Sequence, residues 1–143
     1  MISILPLITF PSSSLAVYSL STGEKVKKPT SIPEAYLRLS SARSELDMTI
    51  STYDKIKAGG GDNVRRYLGT VGTSSSIFGL KPVFKLLQDS ASDIITFIDA
   101  TEEFDRALVS ADSAAYSSMF VEFSAAKGTP EEYYDKALVR ATR

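Results

Sequence analysis

Glu102, Glu103 and Asp105 form a carboxylate cluster. Paired carboxylates can share acid–base work or hold a divalent cation. A di-metal site in a helical bundle also needs Glu-x-x-His pairs, and the 143 residues contain no His. An all-carboxylate calcium loop needs alternating acids around a Gly, a pattern that does not occur. The triplet therefore reads as a solvated helix face. With no His and no Cys, a Ser-His-Asp triad, a thiolate nucleophile, a Cys-ligated metal and a disulfide frame are all excluded. Gly72 to Ser76 has the small residues of a phosphate-cradling loop. It lacks the Gly-Lys-Ser/Thr ending and a preceding strand. The expectation is a non-enzyme with no metal and no cofactor.

The elements that carry these residues are helical. Phe84, Leu87, Ala91, Ile94 and Ile98 step by alternating threes and fours, with Val83 and Ile95 widening the stripe. The spacing predicts one helix from Lys81 to Leu108, about 40 Å long, as the element the chain is organised around. Pro82 opens it. Val109 to Ser113 is the candidate break, unless the helix runs on to 124 through its alanines. Tyr116, Met119, Phe120 and Phe123 are expected to plug the end of the core.

Upstream, Ala35, Leu39, Ala42, Leu46, Thr49, Tyr53 and Ile56 form a second seam. It predicts a helix over 31–57, capped by Ser31 and ended by the Gly59–Gly61 run. Asp62 is the expected N-cap of a short helix to Val71, with Val64, Tyr67 and Leu68 inward. Ile77 and Phe78 should anchor the following loop. Thr129, Pro130 and Glu132 make a capping box for a last helix over 130–143, with Tyr133 or Tyr134, Ala137, Leu138 and Ala141 inward. The fold class is all-α: an up-down four-helix bundle over 30–143 with an extended N-terminal arm over 1–29.

The arm begins with an apolar run, Met1 to Phe10, followed by Ser14-Leu15-Ala16, which resembles a signal cleavage site. No Lys or Arg precedes the run. The arm is read as a targeting remnant or a docking arm. Its apolar run of about ten residues is too short to span a bilayer. The net charge of −1 gives no general case for nucleic acid. Charge is unevenly placed: residues 1–68 hold nine Lys/Arg against six Asp/Glu, and residues 69–143 hold seven against eleven. A basic front half can dock on an acidic surface. Lys25, Lys27 and Lys28 on the arm and Arg65 and Arg66 on the short helix are the candidate docking residues.

Asp62 to Gly72 (DNVRRYLGTVG), Tyr116 to Ser124 (YSSMFVEFS) and Lys127 to Tyr134 (KGTPEEYY) together resemble thylakoid-lumen proteins of plants and algae with a four-helix fold of the Q type. These include the additional extrinsic lumenal subunit of diatom photosystem II. The resemblance covers roughly residues 30–143. It implies a non-catalytic extrinsic subunit, peripheral on the lumenal membrane face of the chloroplast thylakoid. Its partners would be the photosystem II core and other extrinsic subunits, and its role to stabilise or shield the oxygen-evolving complex. The alternatives are a soluble lumenal assembly or repair factor and an unrelated helical adaptor. The missing upstream basic residues depart from a lumen-targeting signal. In an acidic lumen, protonation of carboxylates in 69–143 would make the chain more positive. Docking on an acidic partner should then tighten at low pH and weaken with salt.

Overall fold

The structure is a computed structural model that describes residues 28–121 and 128–142. Its described residues form six helices and no strand: α1 (Ile32–Ser51), α2 (Tyr53–Lys57), α3 (Gly61–Tyr67), α4 (Lys81–Gln88), α5 (Ile94–Val121) and α6 (Pro130–Ala141). The all-α class stands.

Ser31 caps α1 as its type predicts. Its backbone is extended, its Oγ accepts the Glu34 N–H at 3.4 Å, and Pro33 sits in the first turn. Glu34 reaches back to accept the Thr30 N–H at 2.8 Å, one residue before the cap, in a variant of the reciprocal capping box. The predicted helix over 31–57 is interrupted at Thr52. There both the Thr52 N–H and its Oγ1 bond to the Met48 carbonyl, at 2.9 and 2.8 Å. A hydroxyl turned onto its own helix competes with the ladder.

The short helix does not start on Asp62. Gly60, at φ 85°, is its N-cap, a conformation only glycine adopts freely. Gly61 is buried, and an added Cβ would collide with the Ala115 carbonyl and crowd Ser118. Helix α3 therefore begins in direct contact with α5. It ends at Tyr67 rather than Val71, because Gly69 turns the chain and the Thr70 and Val71 N–H groups both return to the Arg65 carbonyl. Ile77 is buried as expected and Phe78 half-buried; Leu80 is buried beside them. Two side chains of α1 pin this loop: Glu45 accepts the Ser76 N–H at 2.6 Å, and Arg38 donates to the Phe78 carbonyl at 3.2 Å.

The single helix expected over 81–108 is two helices. Asp89-Ser90-Ala91-Ser92-Asp93 interrupts it. Such residues favour turns and caps because their side chains bond the local backbone. Asp93 takes the Thr96 N–H at 3.0 Å and the Thr96 hydroxyl at 2.7 Å on its carboxylate. These bonds hold the Asp93 carboxyl below its ordinary value. The apolar stripe is therefore not one seam. Leu87 is buried, whereas Ile95, across the break, is 75% exposed. Helix α5 in turn runs without interruption through 109–113.

Helix α6 lies along α5, α3 packs on α5, and α1 packs on α4, which bridges to α5. Two apolar clusters result. One joins Tyr53, Ile56, Val64 and Leu68 to the alanines of α5 and to Tyr134 and Ala137 of α6. The other joins α1 to Ile77, Leu80, Val83 and Leu87, with Phe84 and Phe104 edge to face at 5.6 Å. Leu108 packs against both. Thr129 caps α6 as predicted, accepting the Glu132 N–H at 3.4 Å. Tyr134 is the inward member of the tyrosine pair. The Tyr53 hydroxyl donates to its carbonyl at 2.7 Å, and burial, with the nearby Tyr134 and Asp135, pushes the Tyr53 phenol upward.

The expected aromatic plug is a correction. The buried face of α5 carries Ala111, Ala114, Ala115 and Ser118, while Tyr116 and Phe120 are 45% and 51% exposed. Close approach of Gly61 to α5 requires small residues there, so the aromatics turn outward. Phe123 lies outside the described residues.

Candidate protein-docking surface

The outward face is built by α3 and α5 together. Arg65 projects from the last turn of α3. Its Nε donates to the Asp112 carboxylate at 2.8 Å and its Nη1 to Asp62 at 3.3 Å. The Thr70 hydroxyl lies 3.1 Å from the Arg65 carbonyl and bonds the same Asp112 oxygen. The Arg65 and Asp112 side chains are 18% and 24% exposed. The bond to Asp112 is the main cause that raises the guanidinium above its ordinary value, with burial opposing it. The guanidinium lies 4.8 Å over the Tyr116 ring, and Tyr116 meets Phe120 edge to face at 4.8 Å. A cation over the ring face and an aromatic at its edge hold Tyr116 in place although its outer side is open.

Val109, Ser113, Tyr116 and Phe120 step by four, three and four along α5, and all are exposed. Tyr67 and Arg66 are exposed on the adjoining helix. Of the sequence-predicted docking residues, Arg65 is built into the fold as the support of Tyr116. Arg66 is the exposed cation of that pair. Lys28 is exposed three residues before the α1 cap. Lys25 and Lys27 lie outside the described residues. The structure thus joins Arg65 to an aromatic patch and leaves Lys28 on a separate element. Tyr116 and Phe120 were legible as aromatics at helical spacing, but not as surface; the paired signal was Asp112, with no sequence mark tying it to Arg65.

Glu102 and Glu103 are exposed, and Asp105 is ion-paired with Lys81 at 3.6 Å. Among the described residues no group of three acidic side chains converges on a metal-sized site. No described helix is long and apolar enough to cross a membrane.

A concavity of about 640 Å³ opens between α1 and α5. Leu39, Ala42 and Leu46 line it from α1, and Phe97, Phe104 and Leu108 from α5. Leu68, Ile77, Leu80 and Phe84 also line it, with Ala141 of α6 and its C-cap Thr142. It exists because α1 and α5 are bridged by the short α4 instead of packing on each other. Sequence periodicity gives which face of each helix is apolar, but not that two such faces stay apart.

Comparison with family models, with curated proteins and with solved structures finds no match to this chain.

Proposed function

We propose that this chain is a non-catalytic extrinsic subunit that docks on the lumenal face of photosystem II and stabilises or shields the oxygen-evolving complex there. One observation carries the reading. Two of the three segments that resemble the Q-type lumenal proteins, 62–72 and 116–124, meet through Arg65 over Tyr116. They present Tyr116 and Phe120 beside the Arg65 guanidinium, with Arg66 exposed on the same helix as Arg65. Fixed aromatics beside an arginine are the composition of interface hot spots, because little side-chain freedom is lost on binding. In this reading the protein is a Q-type up-down four-helix bundle, with its third member divided into α4 and α5. Its partners are the photosystem II core and neighbouring extrinsic subunits, and its place is the thylakoid lumen, peripheral to the membrane. The basic arm, Lys25, Lys27 and Lys28, adds electrostatic steering toward an acidic partner surface.

A salt wash of thylakoids tests this, with mass spectrometry of purified photosystem II before and after. A stoichiometric protein released by about 1 M salt supports the extrinsic subunit. Rebinding should then fail for Tyr116→Ala and weaken for Arg66→Glu. A protein free in the lumen and absent from the complex makes it an assembly or repair factor. A protein absent from thylakoids leaves the helical adaptor, the reading that the apolar groove favours.

A further inference from the structure

We infer that a second copy of this chain docks antiparallel along the outer ridge of α5 and covers Tyr116 and Phe120 in the free protein. The inference shares those two side chains with the docking patch but does not rest on the identity of the partner complex. Exposure defines the ridge. Its first half holds Ile95, Asp99, Glu102 and Arg106, all exposed. Its second half continues as Val109, Ser113, Tyr116 and Phe120. The steps alternate four and three residues from end to end, which is the period of a helix-on-helix seam. From Phe104 to Val121 the exposed positions of α5 are those of the ridge and no others. It runs for about 37 Å. A solvated helix face is polar, whereas this one carries Ile95, Val109, Tyr116 and Phe120, and Val109 is 65% exposed.

The order of residues selects both the occupant and its direction. An alternating four-three series reads the same from either end, so the ridge meets a reversed copy of itself about a two-fold axis between Ala107 and Leu108. Ile95 then packs on Phe120 of the second copy, and Asp99 stands opposite its Tyr116. The Tyr116 hydroxyl makes no hydrogen bond among the described residues, and a carboxylate is a strong acceptor for it. Glu102 meets the small Ser113, on the side where Arg65 lies between Asp112 and the Tyr116 ring. Arg106 stands opposite Val109, with Glu102 of its own helix one turn back. Neither Asp99 nor Glu102 forms an ion pair among the described residues. In a parallel pairing each of these two carboxylates would face its own copy and repel it. Size sets the strength of the contact. Eight ridge residues a side fall short of the roughly 20–30 of a standard interface. The dimer is therefore weak and yields to a partner that offers a larger surface.

Sedimentation velocity of the full chain tests this without any photosynthetic complex. The chain should be monomeric at about 1 µM and largely dimeric at about 500 µM. Val109→Arg crowds like charges around the two-fold axis and should weaken dimerisation about tenfold or more. Its circular dichroism and melting temperature should stay unchanged, because Val109 is on the surface. The chain has no Cys, so Ser117→Cys, beside the ridge, takes one spin label per copy. Antiparallel pairing sets the two labels about 30 Å apart, and parallel pairing about 10 Å. A chain still monomeric at about 1 mM, a dimer unaffected by Val109→Arg, or the short label separation overturns the inference. So does a dimer whose NMR shifts fall on the α1–α5 groove instead of the ridge from Ile95 to Phe120. A chain that dimerises this way but is absent from thylakoids overturns the lumenal reading alone. A docked subunit that stays monomeric when free overturns this inference alone.

Discussion

The Arg65 Nε donates to the Asp112 carboxylate at 2.8 Å across 47 residues of sequence, and this pair ties α3 to α5 and places the guanidinium over the Tyr116 ring. Both partners are mostly buried, so removing one leaves the other poorly solvated. Asp112→Asn should cost about 1–3 kcal/mol in urea unfolding. The chain has no Trp and seven Tyr, so the Tyr116 share of the emission is read as the difference from a Tyr116→Phe background. The variant should change the native emission as the guanidinium leaves the Tyr116 ring. An unchanged stability would show the pair to be no more than a surface contact.

Tyr53→Phe removes the hydroxyl that donates to the Tyr134 carbonyl from outside α6. The expected loss is about 1–2 kcal/mol, read by chemical denaturation. A pH signature accompanies it. The Tyr53 phenol is raised above its unfolded value of 10.0, so the folded state holds this proton more tightly. Its contribution is complete below about pH 10 and falls as pH rises past that value, since the unfolded chain ionises first. Wild type should lose stability there more steeply than Tyr53→Phe. Parallel curves would contradict the assignment.

Gly61→Ala reverses the sign that helix propensity gives. In a free helix, alanine is better than glycine by about 1 kcal/mol. Here the methyl would strike the Ala115 carbonyl, which is backbone and cannot rotate aside. We expect a net loss of about 1–3 kcal/mol and a drop in melting temperature. A stabilised variant would mean that α3 is not seated on α5.

Asp93 divides α4 from α5. Asp93→Ala should lower the melting temperature, because the Thr96 N–H and hydroxyl lose their acceptor; Asn, also a good cap, should restore most of it. The carboxyl lies below its ordinary 3.8 in the folded state. Its contribution is present above that unfolded value and is lost as pH falls through the folded one. Acid titration of melting temperature should therefore show a component in wild type that Asp93→Asn lacks.

Much of the helical content was legible because caps and seams are local. Ser31, Thr129 and Pro130 mark helix starts through bonds to residues three positions away, and the α1 seam, from Ala35 to Thr49, is periodic in one strand of sequence. The break after Gln88 was also written locally, in Asp89-Ser90-Ala91-Ser92-Asp93 and in Asp93 with Thr96. The apolar period running across it, Leu87 to Ile94 and Ile98, masked the signal. The two criteria gave opposite answers, and local hydrogen bonding outweighed a stripe that had no single surface to bury against.

By itself the sequence determined an all-helical chain with no imidazole or thiol chemistry, the positions of its caps, and which face of most helices is apolar. These follow from residue type and short-range spacing. Tertiary structure alone decided that Gly61 meets Ala115, that Tyr116 and Phe120 turn outward over Arg65, and that α1 and α5 remain apart around a groove. Each depends on which small residue faces which, at separations of tens of residues. Periodicity tells a helix that it has a face to bury, but the volumes and charges on a distant helix determine whether that face closes, opens as a groove or carries an exposed patch.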